Sequence, residues 1–551
     1  ITWRTDEPAH TRLAYGLTPA HELGLVVGDA FRLDHEVEIT GLDAATGYHF
    51  AITCIDTAGN VAGGEDHVFY TDLVPTLSTG PGAGDVYREA ILVIGENADD
   101  WRVTDPHALN TGAAAFLPNP VLSIDLPDLT GAVRAELILD RWGGHPGTSR
   151  KRVRFNGASW LHLPEPPIPD SSPQCYVYQD NPMIELPLDQ LRAGTNTLEG
   201  TADRQTCYSF DWGQWGWYGA VVRIYYEGET GHPSGSILQP VTGATVVDLA
   251  DVVVDASAPG DVAEVVVLAR YDGYDSDGDG ILHDWHRTYR RDYAGTELRL
   301  LDVVGSIDSA PWSVTWDLEW VPEQQPGAVA LQARIRGDDG LWFVTDHVTD
   351  LTLEHTGGDV RLYALQDVPR AFWVRESQEK SATFTIPPEH DLALAGSTRM
   401  VAHTWNGSDA GVIDLNGLWS RSGLGENHFW GRDELIVPST SLVTGTNTVT
   451  ISAATTHHGM EVLWPGPMVM VRYDGGSNQA NPSGGEAVIA WGDPVLVDGS
   501  LDLPLILEAG RPASFRVTVE ADDPQILTGL VSDLEERGTF TWSLEAGILT
   551  A

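Results

Sequence analysis

The chain has 551 residues, 42% of them hydrophobic, and a formal net charge of −47 at pH 7. That length predicts several domains with ordinary packed cores. The charge excludes a nucleic-acid partner and an anionic membrane surface, both of which need clustered Lys and Arg; Lys151 and Lys380 are the only lysines. No apolar run reaches the roughly 20 residues that span a bilayer. The opening Ile1-Thr2-Trp3 reads as the inside of a strand rather than as a leader, so a mature or trimmed piece of something longer is expected. With 58 glycines, 33 prolines and short alternating runs between them, the chain reads as all-β, a series of tandem β-sandwich modules.

Residues 1–73 form the first expected module, with strands at Ile1-Thr2-Trp3-Arg4-Thr5, Leu13-Ala14-Tyr15-Gly16, Val37 to Leu42 and Thr46 to Phe50. Leu42-Asp43-Ala44-Ala45-Thr46-Gly47-Tyr48 and the turn Asp56-Thr57-Ala58-Gly59-Asn60 resemble the fibronectin type III family, with Ala44 where proline is usual. The resemblance implies a Tyr48 hydroxyl bonded back to the backbone and a first strand lying before Ile1. A strand supplied by another chain is the alternative, which implies self-association through strand or edge contacts.

After a Gly/Pro/Ser/Thr linker at 76–85, residues 86–227 and 358–474 read as two copies of one module. Glu136-Leu137-Ile138-Leu139-Asp140-Arg141-Trp142-Gly143-Gly144 matches Arg399-Met400-Val401-Ala402-His403-Thr404-Trp405-Asn406-Gly407. Val153-Arg154-Phe155-Asn156-Gly157 matches Ile413-Asp414-Leu415-Asn416-Gly417, and Leu191 to Leu198 matches Leu442 to Val449. Each copy closes on an aromatic, glycine-bearing turn, Trp217-Tyr218-Gly219 or Trp464-Pro465-Gly466. The Asn-Gly turn and the Leu-x-x-Gly-x-Asn block resemble galactose-binding-like jelly rolls of secreted bacterial proteins. Residues 228–355 between the copies read as an immunoglobulin-like sandwich. Residues 487–551 read as a partial sandwich, so the chain is expected to be incomplete at both ends.

Asp275-Ser276-Asp277-Gly278-Asp279-Gly280-Ile281 interrupts the immunoglobulin-like module. Three carboxylates at alternate positions before a turning glycine suit a hard cation with oxygen ligands, and calcium is the expected ion. Asp275, Asp277, Asp279 and the Ile281 carbonyl are the candidate ligands, completed by Asp284 or the upstream Asp272. The stretch resembles the first half of an EF-hand loop, but position twelve is His286 rather than glutamate, which argues against a sensor. The bland alternative is a solvated acidic hairpin tip.

The other candidates are weaker. His403, His428, His457 and His458, with Glu461, crowd the second copy, yet their spacing fits no zinc motif. Trp215 and Trp217 alternate, with Trp212 three residues before them, and the cluster predicts an exposed platform for a sugar ring, against a core role as the bland reading. Cys175 and Cys207 fall in one module and can pair, while Cys54 reads as a buried thiol. There is no Gly-x-Ser-x-Gly elbow and no phosphate-cradling glycine loop. Together these features predict a non-catalytic protein, extracellular or at the cell surface, that serves as an adhesive or filament-forming structural component. The alternative is a carbohydrate-binding accessory region of a polysaccharide-degrading enzyme; a hydrolase with its site in the second jelly roll is the remote third reading.

Overall fold

The computed structural model describes residues 1–474 except 45, 96–98, 167, 169–174, 210, 228–230, 283, 410 and 457–458, and then 488–491, 495–497, 500–507, 512–518, 543–545 and 548–550. Strands dominate, and the one α-helix among the described residues is the single turn Thr111–Ala114, capped by the Asn110 side chain.

The first module is a four-stranded antiparallel sheet with Thr2–Gly16 and Gly47–Asp56 inside and Gly24–Glu36 and Val61–Tyr70 at the edges. The two short strands expected at its start are one strand of 15 residues. Its pairing slips between Arg4 and Ala9, where Pro8 has no N–H to give the ladder. No strand forms over 37–42; Val37 is buried and donates its N–H to the Ile1 carbonyl at 2.9 Å. The corner implied by the resemblance is present: the Tyr48 hydroxyl accepts the Asp43 N–H at 3.0 Å. Leu25, Val27, Phe31 and Leu33 stand exposed at alternate positions of the Gly24–Glu36 edge.

The duplication extends to strand order and to side-chain hydrogen bonds. Val121–Leu126, Gly194–Thr201, Arg152–Phe155 and Leu161–His162 lie side by side in the first copy. Glu379–Ile386, Gly445–Ser452, Val412–Leu415 and Trp419–Ser422 repeat that order in the second. In each copy two asparagines explain the motifs. Asn156, at φ 52°, donates to Asn196 Oδ1 at 2.8 Å, and Asn416, at φ 57°, donates to Asn447 Oδ1 at 2.8 Å. Asn196 then ties the Arg192 N–H and the Arg192 and Gly194 carbonyls, as Asn447 ties those of Val443 and Gly445. Asparagine tolerates the left-handed turn and closes it with its amide, which is why this residue recurs.

The immunoglobulin-like module pairs Ser234–Gln239, Leu249–Ser257 and Ser313–Asp317 in one sheet, facing strands that include Val262–Arg270 and Val329–Gly337. The expected tandem β-sandwich modules are present, and they are joined to one another. Trp342–Val344 pairs with Val86–Val93 through Trp342–Tyr87 and Phe343–Val86, so the immunoglobulin-like sheet and a sheet of the first jelly roll are continuous over 12 strands. Val401, Met468 and Met470 of the second jelly roll enter the core formed by Tyr271, Tyr274, Val321 and their neighbours. The three modules are fused.

Fusion explains why Gln214–Tyr226 is buried along its whole length. Trp215, Trp217, Ala220, Val222 and Ile224 face the jelly-roll core. Arg223, on the opposite face, donates to Glu136 Oε1 at 2.8 Å, Glu89 Oε1 at 2.7 Å and the Tyr289 hydroxyl at 2.5 Å. Removing one member of such a buried ion pair costs about 3–5 kcal/mol, so the network holds the Tyr289 segment in place.

Candidate metal centre

The loop after Val262–Arg270 brings Asp275, Asp277 and Asp279 together, with one oxygen from each inside a set whose members all lie within 4.8 Å of one another. The three residues are 0%, 0% and 3% exposed, so the solvated hairpin tip is excluded. Asp275 accepts the N–H groups of Gly278 at 2.8 Å, Asp279 at 3.1 Å and Gly280 at 3.1 Å. Asp279 accepts the Ile281 N–H at 2.8 Å. Among the described residues, the Oδ1 of Asp277 has no hydrogen-bond partner, and neither does the buried Oδ1 of Asp284. The backbone N–H and carbonyl of Asp272 are held by the Gln324 amide at 2.8 and 3.1 Å.

Burial pushes all four carboxyls of the group upward from the ordinary aspartate range. For Asp275 and Asp284 the charge of Asp279 adds to burial, and for Asp277 the charges of Asp279, Asp284 and Asp275 add in turn. For Asp279 burial is the leading cause, against lowering by the Ile281 N–H and by Arg287. Carboxylates this close cannot all ionise unless a cation joins them, and a divalent ion reverses the direction of every shift. The residues fit a hard cation on two counts: oxygen donors alternate along one loop, and a fully buried donor has no other partner.

His286 is not a ligand. Its Nδ1 accepts from the Ser276 hydroxyl at 2.7 Å and its Nε2 donates to the Tyr274 carbonyl at 2.8 Å, which closes the loop from behind. Burial lowers its imidazole to about 4, so it stays neutral.

The loop is wedged between the two jelly rolls. Towards the second, the Ser276 carbonyl accepts from Arg432 Nε at 2.9 Å. Gly278, at φ +72°, lies so close to His403 that a Cβ would come within 2.2 Å of its ring, and Gly280 lies against Trp464. Towards the first, Asn181 accepts the Tyr289 N–H at 2.5 Å and donates to the Tyr289 carbonyl at 3.0 Å. Asp140 accepts from Arg290 Nη1 at 3.1 Å and from the Arg291 N–H at 2.9 Å. Asp140 and His403 are equivalent positions of the duplicated block, so one insert is gripped by the same place in both copies.

The aromatic platform is a correction. Trp215 and Trp217 are 0% and 1% exposed and sit in the jelly-roll core, with Trp215 Nε1 donating to the Thr201 carbonyl at 3.1 Å. Trp212 lies before that strand, half-buried and 5.3 Å from the His145 ring. The alternation on which the expectation rested carries no information where both faces of a strand are covered. His403 is fully buried and His428 exposed, while His457 and His458 lie outside the described residues. Among the described residues, the aspartate group is the one cluster with metal-holding geometry. Glu461 accepts from Trp142 Nε1 at 3.3 Å across the seam, and burial raises its carboxyl to about 7.

A strap that no motif announces crosses the same seam. Cys175 and Cys207 form a disulfide with Cα atoms 5.7 Å apart. From there the Cys175 and Val177 carbonyls accept the N–H groups of Ala371 and Trp464, each at 2.9 Å. Asp180 then receives Arg141 at 2.8 and 2.6 Å. Cys54, expected to be buried, is half-buried.

No family model and no curated protein matches the chain. Among solved structures, it is similar to a β-porphyranase of glycoside hydrolase family 86 from the human gut bacterium Bacteroides plebeius, at 13% identity over 40% of this chain and 34% of that one, with a TM-score of 0.18. The chain thus spans about a third of that enzyme's length. It is also similar to fibronectin(III)-like modules of Clostridium thermocellum CbhA, at 10% identity over 52% of this chain and 94% of that one, with a TM-score of 0.14. A third likeness is to SGBP-B of a Bacteroides ovatus mixed-linkage glucan utilization locus, at 12% identity over 86% and 92% of the two chains, with a TM-score of 0.14. At these identities and scores the likenesses carry no argument about activity; the chain's own strands make it a protein of fused β-sandwich modules.

Proposed function

We propose that the chain is a non-catalytic, calcium-clamped β-scaffold from an extracellular protein, which holds its sandwich modules in fixed relation. The observation that supports this best is Asp277, fully buried between Asp275 and Asp279 with one carboxylate oxygen lacking a partner among the described residues, in a loop packed against both jelly rolls. Calcium suits such a site because it accepts several oxygen ligands in flexible geometry. The Cys175–Cys207 disulfide fits an oxidising compartment. Thermal unfolding of the chain checks the reading. Chelation is expected to lower Tm by roughly 10 °C, restored by calcium and not by equimolar magnesium. An identical Tm with and without chelator contradicts it.

A second reading, a carbohydrate-binding accessory region, is favoured by the rim of the seam. There the half-buried Trp373, paired across strands with half-buried Glu461, and the half-buried Trp430, two residues from exposed His428, pack against Val177, Trp405 and Leu463. Such rings can stack on a pyranose while polar neighbours take its hydroxyls. Binding on a glycan panel that is lost in Trp373→Ala supports it; no binding to any glycan counts against it.

A further inference from the structure

The loop has two sides, and they alternate along the chain. Asp275, Asp277 and Asp279 gather on one side. The residues between them, Ser276, Gly278 and Gly280, make the contacts with Arg432, His403 and Trp464 of the second jelly roll. The Ser276 carbonyl and the two glycines thus present the side of the loop away from the carboxylates to the second jelly roll. Whatever fixes the carboxylate side therefore also shapes the docking side. Neither glycine has slack: both are left-handed, at φ +72° and +85°, and Gly278 touches the His403 ring with no room for a Cβ.

From this alternation we infer that the cation couples the two jelly rolls: its occupancy on the aspartate side sets the docking of the second copy on the other side. The inference rests on the calcium reading above. With no ion present, nothing joins the carboxylate oxygens of Asp275, Asp277 and Asp279, and the loop loses what holds that side together. Ser276, Gly278 and Gly280 then leave Arg432, His403 and Trp464. The two jelly rolls keep their own cores, because each is closed by its own asparagine pair, at Asn156–Asn196 and Asn416–Asn447. The seam between them opens, and the insert stays with the first copy through Asn181 and Asp140.

Hydrogen exchange on the full chain, with calcium and after chelation, tests this, with bound calcium measured in the same samples. The seam reporters are the N–H groups of Ala371 and Trp464, which cross between copies. The internal controls are Thr197 and Thr448, which bond Asn156 and Asn416 within each copy. The expected result is exchange at least tenfold faster at the seam on chelation, with the controls unchanged. Calcium that binds and leaves without altering the seam overturns the inference and spares the calcium reading. Equal acceleration at all four amides also overturns it, since the ion then supports folding of the modules themselves. Absence of bound calcium removes the calcium reading and the inference with it. Arg432→Gln keeps every aspartate but removes the Ser276 contact; it is expected to bind calcium and still show the faster seam exchange. Wild-type protection in that variant contradicts the docking role given to this side of the loop.

Discussion

Trp142 and Trp405, which stand at the same place in the two copies of the repeat, face each other across the seam with ring centroids 6.4 Å apart and planes inclined by 27°. Both are almost fully buried, and Trp405 Nε1 donates to the Tyr218 hydroxyl at 3.0 Å. A matched pair that packs against itself is the pattern of an isologous contact between duplicated units. Trp142→Ala is expected to cost about 3–5 kcal/mol, the range for deleting a large buried aromatic. Chemical denaturation followed by far-UV dichroism measures it; a loss under ~1 kcal/mol argues that the seam contributes little to stability.

The asparagine pairs predict a symmetrical result. Asn196→Ala and Asn447→Ala each remove several hydrogen bonds to partly buried backbone groups, at about 0.5–1.5 kcal/mol for each bond lost. Both variants are expected to lose stability by similar amounts in denaturant titrations. A large loss in one and none in the other contradicts the equivalence of the two turns.

Glu461 sets a pH dependence. Burial raises its carboxyl from 4.5 to about 7, against a lowering by the Trp142 N–H. The unfolded chain releases this proton near 4.5, so across the interval up to about 7 the folded state holds one proton more. Stability therefore falls as pH rises through that window and levels above it. Glu461→Gln cannot ionise and escapes the loss. Relative to wild type it is expected to gain about 1–3 kcal/mol between pH ~4 and pH ~8. Parallel stability curves for the two proteins contradict the assignment.

The Cys175–Cys207 bond closes a separation of 32 residues, and a loop of that size is worth about 2–4 kcal/mol. Because the strap leaves Cys175 directly for Ala371 and Trp464, reduction is expected to lower Tm and to expose the Trp464 amide first. Equal Tm with and without reductant contradicts this.

Much of this was legible from residues alone where one local arrangement satisfies a motif. Asn156 with Asn196, Asp56 with the Ala58 and Asn60 N–H groups, and Asp275 with its three backbone donors are short-range solutions that spacing reveals. The fusion of the modules was not legible, because it depends on pairing Tyr87 with Trp342, remote in the chain and carrying no mark of their partnership. Trp215 and Trp217 misled for a related reason. Alternation separates a wet face from a dry one only when one face is wet, and the insert and the second jelly roll leave that strand none. The grip of Asp140 and His403 on the insert needed both the repeat, which was readable, and its placement on the seam, which was not.

The most direct test of the cation account is calorimetric titration of calcium into chelator-treated protein, with wild type and Asp277→Asn side by side. The account predicts one tight calcium per wild-type chain and binding weakened at least a hundredfold in the variant, which loses the charge on the carboxylate with an unpartnered oxygen. Absence of calcium binding by the wild type, or equal binding by both proteins, contradicts it.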